Sequence, residues 1–314
     1  PASLALSCSG WIGFSKDCEM SANQKQHYLP KSYQRGWTNT ADNLLTVYHW
    51  KHDKLVVERK SPKATGAIPG LYFMPMALPK WRNLLEDKFW SRVDQCGADG
   101  LRLLKSSDPD AEAKLDKRGF ITFLLSLILR NPIEVGEIKR RAIEHLRSGC
   151  LSTDYAANRS AHWPETFEEF SALLDADGLP EHAAQVLISQ VMNSEVQAHL
   201  LTMDWQVVTL NNSVPLITSD VPSIRFKGLK RDDGMLILPL SPTEFFVAYN
   251  RGAINMKNLI DESILTGQFV ESMNKFVVRR KHKTVYAFDD SQTDFIARYF
   301  SVKEEPYSGV FQCD

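Results

Sequence analysis

Three stretches of the chain carry side chains able to do chemistry. The first, His27-Tyr-Leu-Pro30-Lys-Ser-Tyr33-Gln-Arg35, crowds an imidazole, phenols and a guanidinium into nine residues. His27 can titrate near neutral pH and transfer protons, while Arg35 can hold a carboxylate or phosphate in a two-pronged grip, with Tyr33 as a further substrate contact. The second is Pro215-Leu-Ile-Thr218-Ser219-Asp220-Val-Pro222, an apolar strand ending in two hydroxyls and a carboxylate. Pro222 biases Val221 toward an extended conformation. A carboxylate fixed at a strand end can serve as general base, metal ligand or orienter of a nearby histidine. The third is Arg130, directly after the mostly apolar run Phe120 to Leu129. A guanidinium ending a buried helix needs a partner, because an unpaired buried charge is costly. Asp220 is its expected partner.

Each stretch also has a structural reading, and residue type alone leaves both open. His27 can be a satisfied core histidine and Tyr33 can pack its ring inside. Asp220, Ser219 and Thr218 can bond their own backbone, as such residues do before turns. Arg130 can reach solvent along its apolar stem.

The elements that must position these groups follow from periodicity. Leu44 to Trp50 and Leu55 to Arg59 are rich in β-branched and aromatic residues and flank Lys51-His52-Asp53-Lys54, which predicts a β-hairpin. Pro62, Gly66, Pro69 and Gly70 then punctuate an extended connection into Leu71-Tyr72-Phe73. From Pro79 the period changes: Trp81, Leu84, Leu85, Phe89 and Val93 recur at three- and four-residue intervals, and Thr166-x-x-Glu169 forms a capping box ahead of Phe167, Phe170 and Leu174. Phe120 to Arg130 is apolar almost all round and belongs at the centre, with Ile133 to Arg147 and Glu181 to Leu200 as amphipathic neighbours. Asn131-Pro132 breaks or kinks the chain there. Strands resume at Val207 to Leu210, Pro215 to Thr218, Met235 to Leu238, Phe245 to Ala248 and Thr284 to Phe288, and Leu265, Phe269, Met273 and Phe276 keep helical spacing before the last.

The expected fold is therefore α+β: N- and C-terminal β segments pair into one largely antiparallel sheet, with a central helical bundle packed against it. Residues 20–300 form one domain, β over 20–78, helical over 79–204 and β with one helix over 205–300. Residues 301–314 are a tail. Residues 1–19 lack the charged start and sustained apolar run of a secretory signal, Met20 opens the sequence MSANQKQHYLP, and we expect 1–19 to be an extension outside the fold.

Composition excludes several classes. No run of about 18 apolar residues exists to span a membrane. The net charge of -1 argues against whole-protein attraction to nucleic acid, although residues 1 to 70 carry nine Lys/Arg against five Asp/Glu with three histidines, and Arg279-Arg280-Lys281-His282-Lys283 forms a second basic cluster. Five cysteines, at 8, 18, 96, 150 and 313, form no C-x-x-C pair and no zinc spacing, as expected of reduced thiols in a cytoplasmic protein. His27 and Asp220 supply only two obvious ligands, so no metal site is assigned. No P-loop, G-x-G-x-x-G, H-E-x-x-H or G-x-S-x-G spacing names an established chemistry, and the cofactor stays open.

Taken in order, His27-Tyr28-Leu29-Pro30 with Tyr33 and Arg35, the Leu71-Tyr72-Phe73 segment, Arg130-Asn131-Pro132, Met203-Asp-Trp205, Thr218-Ser219-Asp220-Val-Pro222 and Pro239-Leu-Ser-Pro242 resemble the family called domain of unknown function 4238. The likeness spans about Gln24 to Phe288. Members typically open with a doubled histidine where this chain has Gln26, and often carry glutamine a turn before the arginine, where Ser126 or Leu127 stands here. The resemblance implies that the His27 and Asp220 stretches belong to one site.

The functional expectation is a hydrolase acting on a phosphate-bearing substrate, nucleic acid among the candidates, with His27, Asp220, Ser219 and Arg130 catalytic and Tyr33, Arg35 and Thr218 binding substrate. An Asp-His pair beside arginine can activate water while the cation stabilises negative charge in the transition state. The alternative is a non-enzymatic module in which the same pocket holds an anionic ligand or a protein partner. Oligomeric state is not legible in the sequence.

Overall fold

The hairpin forms where the β-branched and aromatic runs place it, because two residues tolerate the backbone it needs. In the computed structural model, which describes residues 24–75, 77–147, 155–174, 178–211, 214–226, 228–250 and 267–302, His52 and Asp53 turn the chain with φ of 47° and 58°. Positive φ at both central positions is the turn whose twist matches paired strands, and Asp adopts it more readily than most residues.

The N-terminal part supplies β1 (Lys25–His27), the short helix α1 (Lys31–Gln34), a 3-10 turn over Arg35–Trp37, then β2 (Leu45–Lys51), β3 (Lys54–Lys60) and β4 (Ala67–Pro69). A π-helical turn, Leu85–Trp90, runs without a break into α2 (Ser91–Leu104). Next come α3 (Ala111–Lys114), α4 (Lys117–Leu129), α5 (Pro132–Arg147), α6 (Tyr155–Asn158), α7 (Phe167–Leu174), α8 (Glu181–Val191) and α9 (Ser194–Thr202). The C-terminal part contains β5 (Asp204–Thr209), β6 (Thr218–Ser219), β7 (Ile224–Phe226), β8 (Met235–Ser241), β9 (Glu244–Tyr249), α10 (Gly267–Arg280), β10 (Thr284–Ala287) and α11 (Thr293–Phe300).

The class is α+β, but among the described residues the strands make three antiparallel sheets where the sequence predicts one. β1 pairs only with β4; β3-β2-β10-β6 unites the two ends of the chain; β5-β9-β8-β7 is built from C-terminal strands alone. In the third sheet β8 and β9, neighbours in sequence, pair across a tight turn beyond Ser241. Of the predicted strand Pro215 to Thr218, only Thr218 enters a ladder, with Ser219; the Leu216 N–H goes to the Pro242 carbonyl and that of Ile217 to Asn274 Oδ1.

α4 lies at the centre, with every residue from Phe120 to Leu129 buried. α2 crosses it at close range through Gly97 and Gly100: a Cβ on Gly97 would sit 2.1 Å from the Phe123 ring, and one on Gly100 2.4 Å from the Phe120 ring. On another face Phe120 meets Phe246 of the third sheet edge-on, 5.5 Å between centroids. Asn131 ends this helix and starts the next. Its Oδ1 accepts from the N–H groups of Ile133 and Glu134, Pro132 takes the first helical position, and α5 leaves at 76° to α4. The predicted helix from Glu181 to Leu200 is two helices, since Asn193 caps the N–H groups of Glu195 and Val196 and restarts the chain as α9. The capping box forms reciprocally between Thr166 and Glu169. One apolar cluster runs from Tyr28 to Phe300 through all three regions. Residues 1–19, Leu265 and most of the expected tail lie outside the described residues. Among the described residues, no single helix is long and apolar enough to cross a membrane.

Candidate functional site

β1 pairs with β4 in the register Gln26↔Ile68 and His27↔Ala67, and both Gln26 and His27 are buried. Gln26 staples β1 to the chain on either side of Pro79: its Nε2 donates to Asn83 Oδ1 at 3.0 Å and its Oε1 accepts the Tyr72 N–H. That leaves the His27 backbone N–H facing Glu86 Oε1 at 3.2 Å. Glu86 stands on the π-helical turn, a distortion that often marks functional positions because it re-aims side chains. Trp90 stands four residues later and Asp94 four after that.

Arg130 closes the group from the end of α4. Its side chain has no exposed surface, Nη2 donates to Asp94 Oδ1 at 2.6 Å, and the guanidinium lies 5.2 Å from the Trp90 ring centroid. Its carbonyl accepts the Tyr72 hydroxyl at 2.7 Å. The close α2–α4 crossing at Gly97 and Gly100 brings Asp94 and Arg130 within reach. Several polar atoms of this group are buried without a protein partner: Arg130 Nε and Nη1, Glu86 Oε2, His27 Nε2 and Trp90 Nε1. Buried donors and acceptors left unpaired are costly, and five such atoms belong to this one group. Asp94 is the more exposed member of the ion pair, its side chain 28% exposed against 0% for Arg130.

Burial shifts the Glu86 carboxyl and the His27 imidazole in opposite senses. Burial pushes the Glu86 carboxyl up to about 7; the His27 N–H and Arg130 oppose the rise, while Asp94 and Asp87 add to it. Burial pushes His27 down to about 4, and the charges of Lys31 and Arg130 push the same way, partly offset by the Pro62 and Lys63 carbonyls facing the ring. At neutral pH the imidazole is neutral and Glu86 is near half-ionised. Burial also raises Asp94, against the pull of Arg130.

The predicted site residues divide. His27 and Arg130 come together, but Arg130 pairs with Asp94 and not with Asp220. Both Asp220 oxygens are occupied: Oδ1 accepts from the His282 N–H at 2.8 Å, and Oδ2 from Lys283 at 2.7 Å and Thr284 at 2.9 Å. Asp220 is 1% exposed, and burial pushes it up to about 6 despite those three donors. Tyr28, next to His27, has its phenol against Tyr286 and feels the Asp220 charge. Ser219 Oγ bonds Val221 in both directions, donating to its carbonyl and accepting its N–H. Tyr33 donates to the Pro239 carbonyl at 2.7 Å, which leaves Thr218 Oγ1 to donate to the Tyr33 oxygen, also at 2.7 Å. These four residues carry the structural reading. Arg35 is exposed, because α1 turns Tyr33 and Gln34 inward and the next position outward.

Glu86, Trp90 and Asp94 were missed by sequence reasoning. The signal was their spacing, one polar-aromatic row at four-residue steps beside the apolar row Leu85, Phe89, Val93. Among the described residues, no group of three or more His, Cys, Asp or Glu side chains is placed to hold a metal ion.

A family model described as Protein of unknown function (DUF4238) matches residues 25–291. Comparison with curated proteins and with solved structures finds no match. His27, Tyr72, Glu86, Trp90, Asp94 and Arg130 all fall within the matched span, and by that match the chain belongs to the DUF4238 family.

Proposed function

We propose that the chain is a hydrolase of phosphate-bearing substrates, with Glu86 as general base and Arg130 as the group that receives negative charge. The observation that carries this reading is the pairing of a carboxyl raised to about 7 with a fully buried arginine that has two unpartnered N–H sites. A general base works best when its pKa lies near the operating pH, and a buried cation aimed at an oxyanion is worth more than the same cation in water. In this scheme a substrate oxygen accepts from Arg130, and a water lies between Glu86 Oε2 and His27 Nε2. The water oxygen forms a bond to phosphorus as Glu86 takes its proton; the ester P–O bond breaks, and Glu86 returns the proton to the leaving oxygen. Neutral His27 accepts a hydrogen bond and orients the water. Asp220 holds backbone and takes no part. Nucleic acid is one candidate substrate among phosphodiesters, and a cytoplasmic setting belongs to the same reading, supported by five cysteines at spacings that form no C-x-x-C pair.

The test is hydrolysis of bis(p-nitrophenyl) phosphate and of single- and double-stranded nucleic acids, with and without divalent metal. We expect kcat/KM to rise with pH through about 7 as Glu86 ionises. Glu86→Gln should lower kcat by roughly 10²- to 10⁴-fold with an unchanged circular dichroism spectrum. Saturable binding of phosphate esters without turnover in the wild type would identify the non-enzymatic alternative; neither binding nor turnover would overturn both.

A further inference from the structure

The two basic regions marked in the sequence, one within residues 1 to 70 and one at 279 to 283, meet at one end of the sheet β3-β2-β10-β6. The pairs Thr284↔His49 and Lys51↔Lys54 set residues 281–283, at the entry to β10, beside Trp50 and the hairpin turn. Asp220 fixes that approach, since it accepts the N–H groups of His282, Lys283 and Thr284. Residues 50–54 and 281–283 together hold four lysines and two histidines against one carboxylate, Asp53. Lys51, His52, Lys54 and Lys283 are exposed. An aromatic ring stands beside this charge. Trp50 is 47% exposed, although indole is among the side chains that gain most from burial. Its ring stacks on Phe300 of α11, with centroids 5.8 Å apart and planes 19° from parallel. Phe300 is itself buried and carries the Lys281 ammonium 3.9 Å from its ring centroid. The indole is thus held by a fixed neighbour while almost half of it stays exposed. Leu55, directly opposite on β3, and the exposed Val57 share its face of the sheet.

We propose that this end of the sheet binds single-stranded nucleic acid, with a base stacking on Trp50 and with Lys51, Lys54 and Lys283 contacting the flanking phosphates. Stacking on an aromatic ring accepts any base, and lysine charges follow the backbone whatever its sequence. A single strand therefore uses both the exposed ring and the cations around it. A duplex uses only the cations, because its bases are already stacked on one another. Asp220 is then a positioning residue: it holds the Lys283 backbone beside Trp50 and has no contact with the strand. The binding does not depend on hydrolysis at Glu86.

The probe is a short fluorescein-labelled oligothymidylate, followed by fluorescence anisotropy with the full chain at several salt concentrations, with its oligoadenylate duplex and polyglutamate as competitors. The wild type should bind the single strand more tightly than either competitor, with affinity falling as salt rises. Trp50→Ala should weaken binding about tenfold with an unchanged circular dichroism spectrum, and Trp50→Phe should recover part of the loss. Replacing Lys51, Lys54 and Lys283 together by methionine should reduce the slope of log affinity against log salt by about 0.7 for each phosphate contact removed. The Trp50 and lysine variants should leave turnover of bis(p-nitrophenyl) phosphate unchanged, and Glu86→Gln should leave strand affinity unchanged, so that failure of the hydrolase reading and failure of this one are separable. If Trp50→Ala does not fold, the lysine variant decides alone. No saturable binding of the strand, equal affinity for duplex or polyglutamate, or unaltered affinity in a folded Trp50→Ala or triple-lysine variant overturns the proposal.

Discussion

Glu86 and His27 are displaced in opposite senses by the same burial, and that has a measurable consequence for stability. Glu86 has a folded-state pKa of about 7 against 4.5 unfolded, so its contribution is fully present below pH 4.5 and is lost as pH rises through 7. His27 has a folded-state pKa of about 4 against 6.5 unfolded, so its contribution is present above pH 6.5 and is lost as pH falls through 4. Each effect is on the order of 3 kcal/mol, and across the shared window they largely cancel. Removing one partner should expose the other. Relative to wild type, Glu86→Gln should gain stability as pH rises from 4.5 to 7, and His27→Gln should gain it as pH falls from 6.5 to 4. Thermal melts across pH 4 to 8 would check this, with two flat difference curves as the contrary result.

At the level of elements, the site depends on how closely α2 approaches α4. Gly97 sits one turn after Asp94, and a methyl group there would meet the Phe123 ring at 2.1 Å. Helix propensity alone would favour Gly97→Ala by about 1 kcal/mol. Overpacking should outweigh it, for a net loss of roughly 1 to 2 kcal/mol, because ring and helix backbone must both shift. The helices would part where Asp94 meets Arg130, so Gly97→Ala should also weaken phosphate binding beside Arg130. A stabilised variant with unchanged phosphate binding would show that the crossing does not set the site. The π-helical turn at Leu85–Trp90 acts alongside, since it carries Glu86 toward His27 and Trp90 toward Arg130.

For the molecule as a whole, β10 is the piece on which closure depends. It lies between β2 and β6, in register Val285↔Tyr48 and Val285↔Ser219, and so joins residues far apart in sequence. Removing residues 284–302 would expose the partners of Val285, Tyr286, Ile296 and Phe300, all buried. At about 2 kcal/mol each, that loss of roughly 8 kcal/mol is comparable to the total stability of an ordinary domain, about 5 to 15 kcal/mol. The truncated chain should show no cooperative thermal transition by circular dichroism. A cooperative melt would mean that the N-terminal strands and the helices hold together without their C-terminal strand.

Local rules were enough to place the hairpin at His52-Asp53, the capping box at Thr166, the break at Asn131-Pro132 and the buried helix ahead of Arg130, because each is decided within a few residues by turn geometry, caps and apolar periodicity. Sequence order also marked His27 and Arg130 as unusual, one in an irregular polar stretch and the other ending an apolar helix. Which carboxylates would meet them was not legible. Residue type pointed to Asp220 for Arg130 and did not single out Asp94; the pairing was decided by a glycine-mediated helix crossing and by three backbone N–H groups from residues 282 to 284 that occupy Asp220. Contacts between elements distant in sequence depend on the assembled three-dimensional packing, and that is where both the grouping of Glu86, Trp90 and Asp94 with Arg130 and the division of the described strands into three sheets were settled.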